Sequence, residues 1–266
     1  MDKTFLAGRV KDLALRAYNN SFVTHTEFLS VSELSDFYSL LSSEGVSPNV
    51  KNYKGADYVV FGGYPDAERA MVCFLPDYLD EESFLSAESE EGSIISCIHI
   101  EPLNSKFSDV LNHRDYLGSL MNLGIERDQI GDILTGDKEA FVFTTADMAE
   151  NICKELVRIK HTSVKCSVVK ASECNISPEF EEISGSVASE RCDAILALVY
   201  HLSRAEAQRL IESESVFIDG RTAFSGGYDL KPGQRVSVRG HGKFIYLGQE
   251  GTSRKGRLFV GIKKFV

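Results

Sequence analysis

Arg191 and Arg204 each stand at the start of a segment with helical apolar spacing, and a guanidinium at a helix start is well suited to holding a phosphate. Ser203, just before Arg204, is placed to cap the second helix, with Glu206 completing a capping box. Gln208 follows Arg204 by one helical turn, so both side chains can reach one ligand. Further along, Arg235, Ser237 and Arg239 alternate with Val236 and Val238, which turns the charged positions outward on a strand. His241, Lys243, Arg254, Lys255 and Arg257 extend the basic run. A second reading stays open: Arg191 and Arg204 can pair within the fold with Asp193 and Glu206, and the two roles can coexist.

The net charge of −10 argues against a polyanion as partner, but the charge is unevenly spread. From Ser184 onward there are 13 Lys and Arg against 8 Asp and Glu, whereas the preceding residues carry 16 against 31. One part of the chain is thus suited to an acidic polymer and the rest to something else. Other chemistries lack their residues. The six cysteines form no C-x-x-C pair and have no His at ligand spacing, so buried thiols in a reducing compartment are expected, with no metal and no disulfide framework. His113-Arg114-Asp115 matches a kinase catalytic triplet, but Leu120 stands where that loop needs Asn. G-x-G-x-x-G is absent, which removes the usual dinucleotide or methyl-donor loop. A non-enzymatic chain without a cofactor is expected. No apolar run approaches a membrane span, and charged residues interrupt the first eighteen positions, so the expected location is cytoplasmic.

The elements that must position these residues read as α+β, in three segments. Residues 1–80 give two helices followed by strands at Tyr58–Phe61 and Ala70–Leu75, and an acidic stretch from Asp77 to Glu91 reads as a connector or exposed helix. Residues 81–175 give a strand at Ile94–Ile100, a helix over Ser108–Leu123, strands at Asp132–Leu134 and Ala140–Phe143, a helix over Thr145–Ile159 and a strand at Val164–Val169. That βαββαβ order is the ferredoxin-like arrangement used by RNA-recognition-motif domains. Phe141 and Phe143 share one face of their strand, and burial under the two helices is expected for them rather than base stacking. Ser172–Ser189 reads as a polar linker, and residues 184–266 form the last segment. There, Asp219-Gly220 and Pro232-Gly233 mark turns between short strands.

Arg191, Asp193, Ser203, Arg204, Ala207, Leu210, Ile211, Val216, Ile218, Gly220 and Gly233 together resemble the S-four (alpha-L) RNA-binding domain. Cys192, Glu214, Asp219 and Gln234 depart from its usual Leu, Gly, Asn and Asp. Two further stretches, Gly62-Gly63-Tyr64-Pro65-Asp66-Ala67-Glu68-Arg69 and His113-Arg114-Asp115-Tyr116-Leu117-Gly118, resemble the bacterial YlmH family, as do Leu123-Gly124-Ile125, Arg127 and Ile130-Gly131-Asp132-Ile133. The resemblance implies an N-terminal domain, a recognition-motif-like middle and a C-terminal S-four domain. It implies binding of structured RNA, rRNA or tRNA, on the large ribosomal subunit, in quality control of stalled peptidyl-tRNA, and neither membrane nor DNA as partner. His113, Arg114 and Arg127 form a possible second surface, with structural and RNA-contacting roles both open for the His113-Arg114-Asp115 triplet. An RNA-modifying enzyme, or a protein adaptor with a vestigial RNA-binding domain, are the alternatives.

Overall fold

The computed structural model describes residues 3–47, 50–65, 67–176, 180–254 and 256–265. The chain is mixed α+β and divides into two compact units, Met1–Glu33 with Leu40–Ile176, and Leu34–Ser39 with Ser177–Val266.

The first unit opens with α1 (Lys3–Asn20), whose buried residues Leu6, Val10, Leu13, Ala14 and Ala17 recur at three- and four-residue intervals along one face. Then follow β1 (Thr24–His25), α2 (Val31–Ser43), whose residues Leu34–Ser39 belong to the second unit, β2 (Asn52–Tyr53), β3 (Ala56–Phe61) and β4 (Met71–Leu75), with the strands in the antiparallel order β1-β4-β3-β2. Every residue of β4 is buried, which is the continuous apolar run expected of a strand covered on both faces. The acidic stretch forms α3 (Glu81–Glu91), capped by Asp80 at its start and by Gly92 in the left-handed region (φ 61°) at its end. Phe84 and Glu88 of α3 are buried, and the Glu88 carboxylate accepts from the backbone N–H groups of Ile94 and Ile95.

The remainder of this unit runs β5 (Ile95–Pro102), α4 (His113–Asn122), β6 (Ile130–Thr135), β7 (Ala140–Thr145), α5 (Ala146–Glu155), β8 (Arg158–Ile159) and β9 (Thr162–Val169). Its strands lie in the antiparallel order β6-β7-β5-β9-β8. The helix expected from Ser108 begins only at His113, because Asn112 and Asp115 form a capping box there. The helix expected to reach Ile159 stops at Glu155, and Arg158–Ile159 turns back as a strand on β9.

The two faces of this sheet are covered differently. Ile98, Ile100, Ala140 and Val142 pack with Tyr116 and Leu120 of α4 and Ile152 of α5. Phe141 and Phe143 point the other way, into a cluster with Phe28, Val59, Met71, Cys73, Leu75 and Phe84. The expectation that α4 and α5 bury them is corrected: they are buried, but on the face opposite the helices. Side chains alternate along a strand, so Val142 takes the helix side and its neighbours cannot.

The second unit contains β10 (Phe180–Val187), α6 (Cys192–Val199), α7 (Arg204–Glu212), β11 (Val216–Ile218), β12 (Arg221–Thr222), β13 (Arg235–Val238), β14 (Gly242–Thr252) and β15 (Leu258–Phe265). The sheet order is β10-β15-β14-β13-β11-β12, antiparallel throughout. α6 and α7 cover one face, where Ile195, Leu196, Ala207 and Ile211 meet Val236, Val238, Phe244 and Tyr246. The stretch expected as a linker contains β10, which pairs with β15 along its whole length. Its Glu181, Glu182, Ser184 and Ser186 give it a polar look because it is an edge strand with only one side of its backbone paired.

Candidate nucleic-acid interface

The helix pair of the second unit places its two arginines on one carboxylate. Arg191 is the N-cap residue of α6, and its Nε and Nη2 donate to Oδ1 and Oδ2 of Asp193 at 3.2 and 3.0 Å. Arg204, the first residue of α7, reaches the same group from the other helix, with Nη2 2.7 Å from Asp193 Oδ1. The Asp193 side chain is 7% exposed, whereas those of Arg191 and Arg204 are 45% and 48% exposed. Burial works to raise the Asp193 pKa, but the hydrogen bonds and charges of the two guanidinium groups outweigh it and hold the carboxyl below its ordinary value. The pairing reading of the two arginines therefore holds for Arg191 and is changed for Arg204, whose partner is Asp193. Glu206 is occupied in the capping box, donated to by the Ser203 N–H at 2.8 Å, while Ser203 Oγ accepts from the Glu206 N–H at 3.2 Å.

A buried acid that anchors two half-exposed guanidinium groups fixes where their remaining N–H donors point. Each guanidinium carries five such donors, so one carboxylate does not exhaust them. The loop between β12 and β13 closes over this corner: the Cys192 N–H donates to the Tyr228 carbonyl at 2.7 Å and the Asp193 N–H to the Gly226 carbonyl at 3.2 Å. Gly226 runs so close that a Cβ there would overlap the Gln208 amide oxygen and crowd Asp193, which explains a glycine at this point. Gln208 itself donates to Glu212 at 3.1 Å. Phe224, 77% exposed, stands on the same loop and carried no signal that sequence reasoning could use.

The remaining basic residues are not gathered at this corner. Val236, Val238, Phe244 and Tyr246 face α6 and α7, so Arg235 and Lys243 lie on the opposite face of the sheet. Arg235 and Lys243 sit over the Phe265 ring at 5.8 and 4.5 Å. Arg239 follows β13 and lies 6.0 Å from the Phe217 ring. Arg254 and Arg257 belong to the β14–β15 turn, where Arg254 is exposed and Arg257 Nε donates to Ser186 Oγ at 3.0 Å. Lys255 lies outside the described residues.

In the first unit, the motif residues read from the sequence meet one another. Asp132 accepts from the Tyr64 hydroxyl at 2.8 Å and from the backbone N–H groups of Glu68 and Arg69 at 2.7 and 3.1 Å. Arg69 donates to the carbonyls of Ile130, Phe28 and Arg127 at 2.9, 2.9 and 3.0 Å. Arg127 donates to the Ile130 carbonyl at 2.6 Å, and burial, with Arg69 alongside, pushes its pKa down to about 10. Tyr64 stacks on Phe143 with ring centroids 4.8 Å apart, and Gly63, at φ 96°, leaves room that a Cβ would take from the Phe143 ring. Of the possible second surface, Arg127 is thus bound to backbone, while His113 and Arg114 are exposed at the start of α4. Partial desolvation and then the Arg127 charge lower the His113 pKa, which favours its neutral form at neutral pH. Asp115 caps α4 and pairs with Lys160 at 2.7 Å, a structural role.

No described helix is long and apolar enough to cross a membrane. Among the described residues no cluster of His, Cys, Asp or Glu is arranged to hold a metal ion.

Residues 91–173 match the family model described as "Putative RNA-binding domain in YlmH". The match defines the class of the central segment alone: it is similar to a putative RNA-binding domain. Over 207 residues, 76% of this chain and 76% of the relative, it is 26% identical to "Ribosome-associated protein quality control protein P2" of Bacillus subtilis (strain 168). A solved structure, "Cell division protein ylmH from Streptococcus pneumoniae", is 21% identical, covers 65% of this chain and 89% of its own, and superposes with a TM-score of 0.44. The chain resembles the YlmH family: the motif resemblance and the family model over residues 91–173 agree, and the Bacillus relative is similar over three quarters of the chain.

Proposed function

We propose that this chain is a non-enzymatic RNA-binding protein of the cytoplasm that grips structured RNA, rRNA or tRNA, on the large ribosomal subunit. Its RNA-binding domain and its quality-control relative support ribosome-associated RNA binding. The finer reading is that it acts on peptidyl-tRNA left on that subunit after a stalled ribosome splits. In this reading residues 1–80 are an N-terminal α+β domain, 81–175 a ferredoxin-like domain and 184–266 an S-four domain. The strand order β6-β7-β5-β9 supports the second assignment, and the paired helices packed on one face of an antiparallel sheet support the third.

The observation that carries the proposal is the convergence of Arg191 and Arg204 on the buried Asp193. Two half-exposed guanidinium groups held on one carboxylate at neighbouring helix starts suit the phosphates of a folded RNA backbone. The middle sheet does not offer the alternative grip of stacked bases on β7, because Phe141 and Phe143 are 3% and 0% exposed.

Binding to tRNA and to purified large ribosomal subunits, measured across a salt series, tests this reading. Each neutralised phosphate releases counterions, so log affinity is expected to fall linearly with log salt, with several phosphates' worth of slope. Absence of binding at low salt to either partner overturns it.

A further inference from the structure

Phe224, on the loop between β12 and β13, carries the most exposed ring of the second unit, at 77% against 46% for Phe259. Among the described residues no other ring and no cation lies against it. Its backbone is nonetheless fixed on both sides. Ala223, just before it, is buried and donates to the Val216 carbonyl at 2.9 Å. Ser225, just after it, accepts from the Gly227 N–H on its hydroxyl and from the Tyr228 N–H on its carbonyl, both at 3.2 Å. The same loop is clamped to the arginine corner. A Cβ on Gly226 would stand 3.1 Å from that of Asp193, and one on Gly227 would stand 3.8 Å from Cζ of Arg191. Two residues span at most about 7 Å, so the Phe224 backbone lies one short step from the carboxylate that orients Arg191 and Arg204.

A phenyl ring held in water forgoes the burial that would stabilise its loop, and loops anchored on a rigid scaffold are where binding residues sit. Charge alone does not single out a ligand here. Asp193 takes up part of both guanidinium charges, and Asp229 faces Arg191 from the same loop. A neutral contact beside the arginines is what gives such a corner selectivity. Stacking on an aromatic ring needs a base with an open face, which an unpaired nucleotide has. Inside a duplex the bases are stacked on one another, and the loop meets only backbone. A protein partner would call for a contiguous apolar patch, whereas the neighbours of the ring along the loop are Thr222, Ser225, Gly226 and Gly227.

We propose that Phe224 is the specificity-determining residue of the arginine corner. It stacks on an unpaired base next to the phosphate that Arg191 and Arg204 hold, so that the corner selects a bulge or loop nucleotide over continuous duplex. This rests on the RNA-binding reading above and deepens it.

The experiment titrates the full chain with labelled tRNA, with a hairpin whose stem carries a single bulged uridine, and with the same hairpin without the bulge. Wild type is expected to prefer the bulged stem. Phe224→Leu keeps apolar bulk and removes the π-face. It should weaken binding of the bulged hairpin about tenfold, leave the continuous stem unchanged, and melt like wild type because the ring is in solvent. Phe224→Trp should restore the preference. An abasic nucleotide in place of the bulged uridine should cost wild type the same factor and cost Phe224→Leu nothing, a coupling that a structural role for the ring would not produce. Arg204→Ala should weaken both hairpins alike and keep the preference. Wild type that binds tRNA without telling the hairpins apart overturns this proposal and leaves the first reading standing; wild type that binds no tRNA overturns both. An unchanged preference in Phe224→Leu, or an equal loss on both hairpins, also overturns it. So does unchanged hairpin binding with lost binding to the large ribosomal subunit, which would put the ring against a protein instead.

Discussion

In the first unit Arg69 and Arg127 turn their guanidinium groups inward onto backbone carbonyls, whereas in the second Arg191 and Arg204 keep theirs at the surface on a single carboxylate. The same contrast holds for aromatic rings. Phe141 and Phe143 of the middle sheet are sealed under Phe28, Met71 and Phe84, while Phe180 and Phe224 of the second unit stand in solvent. Residue type is equal across the two regions, and the difference lies in what satisfies each group. A donor whose hydrogens are already on carbonyls, or a ring already in a core, has nothing left for a ligand. Donors fixed by one anchor and otherwise open to solvent do.

The largest effect that separates the two regions is expected at Phe143. Truncation to Ala removes a fully buried ring that stacks on Tyr64 and packs against Ile95, and large-to-small changes of this kind cost about 3–5 kcal/mol. Phe143→Ala should therefore lower the unfolding midpoint of the first unit strongly. RNA affinity of the fraction that remains folded should be unchanged. A variant that is stable but binds RNA poorly would show that the β7 face contacts RNA, and the contrast drawn above would collapse.

An intermediate effect is expected at the arginine corner. Arg204→Ala leaves Arg191 on Asp193 and leaves the Ser203–Glu206 capping box in place, so melting should change little. A charge-assisted contact is worth roughly 1.5–3 kcal/mol, so RNA affinity should fall by about one to two decades. Arg191→Ala should act similarly. The double variant strands a buried carboxylate, so it is to be read in an Asp193→Asn background, where the loss should exceed either single loss. Equal affinity of Arg204→Ala and wild type would return both arginines to a purely structural role.

Local signals made part of this legible. The Ser203–Glu206 box, the helix stripes and the alternation of Arg235 with Val236 are set by neighbours in sequence, and the structure has them. What was illegible depends on distant partners. β10 is polar because it is an edge, and its partner β15 lies at the far end of the segment. Period-two spacing placed Phe141 and Phe143 on one face but carried no information about which layer covers it, since that layer comes from β4 and α3. Sequence spacing pairs Arg204 with Glu206 because both belong to one helix; Asp193 is its partner because α6 and α7 pack together. For the same reason the basic strand residues Arg235 and Lys243 and the helix arginines fall on opposite faces of the sheet.

The smallest predicted effect is the most specific to the anchor. Asp193→Asn keeps the shape of the side chain and one acceptor oxygen while removing the charge, so charge-assisted hydrogen bonds become neutral ones. The difference is about 1 kcal/mol of stability at neutral pH. Its pH dependence carries a sign that distinguishes it from generic acid destabilisation. The folded-state pKa of Asp193 is held below its ordinary value, so the native state resists protonation more than the unfolded chain does. The contribution is fully present above the unfolded-state value of about 3.9. It is lost as pH falls through the depressed folded value. Because Asn does not titrate, the gap between wild type and Asp193→Asn in urea unfolding isolates this one group. The gap should be constant from pH 7 to about pH 5 and should close only below about pH 4. A gap that already narrows between pH 7 and pH 5 would mean that the two guanidinium groups do not hold the carboxylate ionised, and the anchor on which their fixed orientation depends would be gone.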